Sequence, residues 1–166
     1  MADVLIGLGG NVGDVRTSFA RAIPLIVQRT DATLVARSSD YETPPWGDTA
    51  QAPFVNACIR IEAAIAPRDL LRVLHEVEAA FGRDRARERH WGPRPLDLDL
   101  LAYDDVMLAD DDLTLPHPRL FERAFVLVPL AEIAPDRNIA GRTPARVLKT
   151  LSSAGIRRLP HMSSDV

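Results

Sequence analysis

Apolar and polar positions alternate most strictly at residues 96–100, LDLDL. In an extended strand successive side chains point to opposite faces, so Leu96, Leu98 and Leu100 share one face while Asp97 and Asp99 share the other. Val4 to Leu8 is a shorter apolar run that predicts a strand, followed at once by GGNVGD. Apolar residues then recur at helical spacing, Val15, Phe19, Ala22 and Ile26, which predicts a helix capped by Asn11 or Asp14. Pro24 interrupts that pattern and should kink or shorten the helix, at a cost of roughly 3 kcal/mol. Ala32 to Tyr41 predicts a second strand and Phe54 to Ala64 a third, in which Phe54, Asn56 and Cys58 alternate with Val55, Ala57, Ile59 and Ile61. Pro67 suits the first turn of a helix with Leu70, Leu74, Val77 and Phe81 on one stripe, and Gly82 stops it. A short strand is expected at Val106 to Leu108. Phe125 to Leu130 reads as the end of a strand or the start of a helix. Ala145 to Leu151 reads as a terminal helix, and the polar residues 160–166 as a frayed tail on a single domain spanning 1–159.

The resulting order, β-α-β-β-α-β, is that of a split βαβ arrangement. It predicts an α+β chain with a ferredoxin-like core: an antiparallel sheet, helices on one face, and the other face left for ligand and long loops. Two stretches lack either period, ETPPWGDTAQAP at 42–53 and RDRARERHWGPR at 83–94. Ordered loops of such length inside a compact domain are commonly functional.

Composition narrows the function. Of 166 residues 26% are charged and the net charge is −3, so bulk attraction to nucleic acid is not favoured. The positive charge is nonetheless uneven: Lys149 is the only lysine, and Arg83, Arg85, Arg87, Arg89 and Arg94 crowd into one loop. Cys58 is the only cysteine, which excludes an intrachain disulfide and a cysteine zinc site; it reads as a buried, inert thiol. There is no secretory signal pattern, and no apolar run approaches the ~18 residues of a membrane span, so a cytoplasmic protein without a membrane partner is expected.

Asp97 and Asp99 side by side repel unless a cation lies between them, and hard oxygens at this spacing suit Mg²⁺. By themselves they would read more simply as an exposed strand face. The arginines upstream change the balance, because guanidinium forks bind phosphate oxygens and stay charged. Together the two groups point to a metal-bound polyphosphate. The glycine turn after the first strand matches neither GxxxxGK[ST] nor GxGxxG, and a plain tight connection is favoured over a phosphate loop. Asn56 either bonds backbone at a strand end or reads the edge of a ring, and the residues leave both open. His75 and Glu78, one turn apart, and the acidic run 110–112 read as solvated surface. His117 sits in stiff backbone between Pro116 and Pro118.

Six motifs follow one another along nearly the whole chain: GLGGN, YETPPWG, FVNA, ExxxGR, RHWGPRPLDLDLL and LPHPRLFERAFVLVPLAEIAP. In this order and spacing they resemble the 6-hydroxymethyl-7,8-dihydropterin pyrophosphokinases of folate biosynthesis. The resemblance implies transfer of the β,γ-pyrophosphate of ATP to the pterin hydroxymethyl group, leaving AMP. It implies that Asp97 and Asp99 hold two Mg²⁺ ions and that Arg83 and Arg94 are catalytic contacts to the polyphosphate. Trp91 would cover the substrates. Phe54 and Phe125 would sandwich the pterin, with Asn56 reading its edge and Thr43, Pro45 and Trp46 nearby. His117 and Arg123 would hold the nucleotide, whose site His75 and Glu78 would line. The implied partners are ATP and the pterin, with no nucleic acid, and the implied form is a stand-alone monomer.

The chain departs from the commonest pattern at several positions. It is one residue longer between Arg83 and Trp91, which leaves open whether Arg85, Arg87 or Arg89 supplies a further phosphate contact. Pro118 replaces a common tyrosine, Phe54 stands where tyrosine is frequent, and Pro53 where an acid is frequent. Another Mg²⁺-dependent phosphotransferase would account for the carboxylates and arginines but not for FVNA with TPPWG. A nucleic-acid module on the same sheet would stack bases on strand aromatics, yet Trp46 and Trp91 both fall on loops.

Overall fold

The computed structural model describes residues 1–45, 50–86 and 92–162. Its elements run β1 (Ala2–Gly10), α1 (Val15–Thr30), β2 (Thr33–Arg37), β3 (Tyr41–Thr43), β4 (Phe54–Ala63), α2 (Pro67–Ala80), β5 (Asp97–Tyr103), β6 (Leu108–Ala109), β7 (Thr114–Leu115), α3 (Ala124–Ile133), α4 (Pro144–Leu148) and β8 (Arg157–Arg158). The main sheet has the order β5-β1-β4-β3-β8, with β2 also on β4, and the pairs are antiparallel. This is the expected α+β architecture, the helices α1 and α2 crossing one face.

Beneath those helices lies the larger core. Val4, Ile6 and Leu8 of β1, Ala57, Ile59 and Ile61 of β4, and Leu96, Leu98 and Leu100 meet Phe19, Ile26, Leu70, Leu74 and Val77 there. The period-2 reading of β5 therefore holds through Leu100. A register shift opposite Leu5 and Ile6 then turns both Leu101 and Ala102 to the second face. That face is not left to loops alone. A second cluster, with Leu5, Cys58, Leu101, Val126, Leu127 and Leu130, packs α3 and α4 over part of it.

Local sequence and observed structure part company in four places. Helix α1 runs unbroken through Pro24 to Thr30. Pro24 and Ala20 both lie on its exposed side, so the carbonyl deprived of a partner can turn to water. Asp14 is the cap, accepting from Thr17 N. The single strand expected over 32–41 is two strands, because buried Ser38 accepts from Cys58 N and buried Asp40 is held by Arg16 and Arg37. Those polar anchors divert the backbone between β2 and β3. The strand expected at 106–108 begins instead at Leu108 and forms a small hairpin with β7, closed by Asp110 N donating to Leu113 O. Its acidic turn is not merely solvated: Asp110 and Asp112 pair with Arg68 at the start of α2. Finally, the terminal helix is only Pro144–Leu148, and the chain returns to the sheet as β8. Residues 125–130 belong to a helix, apolar all round because it is buried.

Candidate active site

The open half of the second sheet face is a cleft of about 390 Å³. Its floor is made possible by β1. Leu5, Gly7 and Gly9 alternate toward this side, so the strand that elsewhere fills the core presents no side chain at two successive floor positions. Gly9 has a specific reason to be glycine: a Cβ there would stand 2.8 Å from Asn56 Oδ1.

On one side of the floor, Asn56 is buried and donates through Nδ2 to Thr43 Oγ1 at 2.8 Å. This locks the amide orientation and leaves a donor and an acceptor for a ligand edge. Phe54 and Phe125 also line this side, and the Arg123 guanidinium lies 5.5 Å over the Phe125 ring. Pro44, rather than Pro45, forms the adjoining wall.

On the other side Asp97 and Asp99 project together from β5. Burial, followed by the neighbouring Asp97 charge, holds the Asp99 carboxyl above its ordinary range. A bound cation would reverse that penalty, so the pair has the chemistry of a metal-binding set. Among the described residues no third His, Cys, Asp or Glu joins them. Arg83, Arg94, Arg119 and Arg123 complete the cleft with His117. Of these, Arg119 is a lining residue that sequence reasoning did not assign.

Glu78 is placed differently from the expectation. It does not line the cleft; at 1% exposure it lies behind the site. Its Oε1 accepts from Arg85 at 2.6 Å, and its Oε2 accepts from Arg83 and from Leu98 N, the latter at 2.8 Å. Arg83 in turn reaches Asp97 Oδ1 at 2.7 Å. One buried carboxylate thus fastens an arginine pair to the backbone between the two aspartates. Desolvation pushes its pKa upward, opposed by these same donors. Sequence spacing could not reveal this, since an i, i+3 His/Glu pair on an amphipathic helix looks like surface.

His117 is anchored by its own N–H to Leu101 O, and its Nδ1 accepts from Arg119 N at 3.1 Å. The proton of the neutral ring is therefore on Nε2. Burial, with Arg123 second, pulls its pKa down to about 4, so the ring is a neutral donor near pH 7. His75 does not line the main cleft. It lines a neighbouring hollow of about 250 Å³ that shares Asp99, His117 and Pro118 with it. Trp46 and Trp91, and with them Arg87 and Arg89, lie outside the described residues.

Asn11 resolves the glycine turn. Its N–H donates to Arg94 O and its Oδ1 accepts from Arg94 N, both at 2.8 Å. Its Nδ2 donates to Gln51 Oε1 and Ala52 O. The turn is a fastener for two cleft-forming loops, and Gly10 lets the second approach: a Cβ there would meet Pro95 O at 2.8 Å.

The cleft combines paired carboxylates, four arginines and a slot between two phenylalanines. Residues 5–135 match the family model for 7,8-dihydro-6-hydroxymethylpterin-pyrophosphokinase (HPPK). The chain belongs to the HPPK family. It is 48% identical over 159 residues to the 2-amino-4-hydroxy-6-hydroxymethyldihydropteridine pyrophosphokinase of Methylorubrum extorquens, covering 96% of this chain and 99% of that one. To the enzyme of the same name from Bacillus subtilis it is 42% identical over 128 residues, 77% of this chain and 75% of the relative. Solved HPPK-DHPS chains share the fold. One crystallised in complex with substrates superposes with a TM-score of 0.70 at 10% identity, and the wild-type Plasmodium falciparum protein with 0.69 at 11%. Each covers 90% of this chain, which spans 45% and 44% of theirs.

Proposed function

We propose that this HPPK-family enzyme transfers the β,γ-pyrophosphate of ATP to 6-hydroxymethyl-7,8-dihydropterin in folate biosynthesis. The observation that carries the reading is the joining, in one cleft, of a ring slot and a polyphosphate site. The pterin lies between Phe54 and Phe125, with the fixed Asn56 amide on its donor–acceptor edge and the Thr43–Pro44 wall beside it. ATP lies toward the aspartates, its nucleoside in the hollow with His75, and His117 Nε2 donates to it. Arg83, Arg94 and Arg123 hold phosphate oxygens, and Arg119 joins them. Of the three loop arginines left open by the sequence, Arg85 is tied to Glu78 and supports Arg83 from behind.

The pterin hydroxyl oxygen bonds to the β-phosphorus as the bond from that phosphorus to the α-bridging oxygen breaks; AMP leaves with that oxygen, and the hydroxyl proton is released to solvent. Asp97 and Asp99 would hold two Mg²⁺ ions, whose charge offsets that of the polyphosphate. The protein's own part is positioning: guanidinium forks orient the chain of phosphates, and the slot orients the hydroxymethyl group. Alignment of this kind can account for several of the ~7–11 kcal/mol available to full orientation. Arg83 pairs with both Asp97 and Glu78, so Glu78 would keep Arg83 in place if that aspartate held a cation.

We also take the enzyme to be a cytoplasmic monomer, with residues 1–159 forming one domain and neither nucleic acid nor membrane as partner; its net charge of −3 fits the absence of nucleic acid. The decisive experiment is product analysis. Incubation with ATP, Mg²⁺ and the pterin alcohol releases AMP, whereas ADP as the nucleotide product would defeat the pyrophosphoryl assignment.

A further inference from the structure

The segment after Leu151 lies beyond the matched family region, which ends at residue 135. It nevertheless comes back to the edge of the sheet that bears the ring slot. Strand β8 pairs with β3, Tyr41 opposite Arg158 and Glu42 opposite Arg157. On its other side β3 pairs with β4, where Tyr41 faces Asn56 and Thr43 faces Phe54. A strand of only three residues thus carries the hydroxyl that locks Asn56, and it is held between two neighbours.

The returning segment is fastened at several points. Leu159 N donates to Asp40 O at 2.9 Å, Arg16 donates to Pro160 O, and Arg158 Nε donates to Ser39 Oγ at 3.0 Å. Its near end bears on the cleft wall itself. Gly155 has φ +81°, and a Cβ there would stand 2.9 Å from Pro44 Cγ. Pro44 lines the cleft, next to Thr43. The segment therefore backs the slot wall from outside without reaching the slot.

We propose that residues 155–160 are a positioning strap for the pterin wall: they set where Thr43 and Pro44 stand, and thereby how tightly the ring is held. The inference rests on the function proposed above and adds a residue-level determinant of pterin affinity. A side chain at 155 pushes Pro44 toward the slot, while the nucleotide side, across the sheet on β5 and α2, is undisturbed.

Gly155→Ala tests this, and the chain supplies its own control. Gly141 has a similar φ of +85° but open space around its Cβ position, so Gly141→Ala imposes the backbone strain without the contact. Pterin binding is followed in the presence of the α,β-methylene analogue of ATP, and analogue binding is measured separately. In Gly155→Ala pterin Kd and KM rise about 10-fold while analogue Kd and ATP KM stay within about twofold; in Gly141→Ala all four stay within about twofold. Unchanged pterin binding in Gly155→Ala, or equal losses for both ligands, overturns the strap. If Gly155→Ala does not fold, amide exchange of the wild-type protein decides. By reciprocity, pterin slows exchange at the Leu159 amide, and no change there overturns the proposal. Wild-type AMP release is measured first. Its absence removes the proposed function, and its presence leaves the strap to be judged by these variants.

Discussion

The two faces of the sheet are built from the same strands and could hardly differ more. One presents Val, Ile and Leu from β1, β4 and β5 to α1 and α2, and is closed to solvent. The other presents Leu5 and Leu101 to α3 and α4 at one end, then Gly7, Gly9, Asn56, Asp97 and Asp99 to an open cleft at the other. The period of two makes this division possible, since each strand can hold the fold with one face and do chemistry with the other. The difference teaches that the cleft face gives up burial for function, and that substitutions on the two faces should fail in opposite ways.

The largest expected effect tests that opposition directly. Leu98→Asp puts an unpaired charge into the core and should cost roughly 4–5 kcal/mol, enough to unfold a marginally stable domain. Circular dichroism and denaturant titration would show it, and a normally stable variant would mean that the faces have been assigned the wrong way round. Its neighbours should behave oppositely. Asp97→Asn or Asp99→Asn should lower turnover at least about 10³-fold with no loss of stability. Asp99→Asn should even stabilise the metal-free protein, because burial and the Asp97 charge raise its carboxyl pKa on folding and disfavour the charged form. Added Mg²⁺ should raise Tm of the wild type and not of that variant.

Smaller effects resolve the cleft face into its two sides. Phe125→Ala should weaken pterin binding about 10- to 100-fold and ATP binding much less, and equal losses would argue against the ring slot. Asn11→Asp keeps the acceptor for Arg94 N but loses the donor to Gln51 and Ala52. It should cost about threefold to tenfold in kcat/KM, felt through both substrates; an effect confined to one would show that the fastener serves a single loop.

A separate signal is pH. His117 has a folded pKa near 4 against an ordinary 6.5, so below about pH 6.5 the unfolded chain binds a proton that the folded one refuses. Stability from this residue is complete above that value and lost as pH falls toward 4, by roughly 3 kcal/mol in all. Replacing His117 with Asn should flatten that part of the stability profile, which urea titrations at several pH values would read.

Much of this was legible from residue order alone. Strict alternation assigned both faces of β5 through Leu100, because a two-residue period needs no tertiary information. The apolar stripes located α1 and α2, and the motif series led to the family and to Asn56, Phe54 and Phe125 as cleft residues. Tertiary contacts decided what local preference could not. Pro24 is tolerated because it faces water. The stretch 32–41 breaks because Ser38 and Asp40 find partners on β4 and α1. Glu78 is buried because two arginines and a backbone amide from elsewhere in the chain meet it. Strand β8 exists because β3 offers an unpaired edge to residues with little strand character of their own. In each case the deciding energy comes from groups far apart in sequence, brought together only when the sheet has closed.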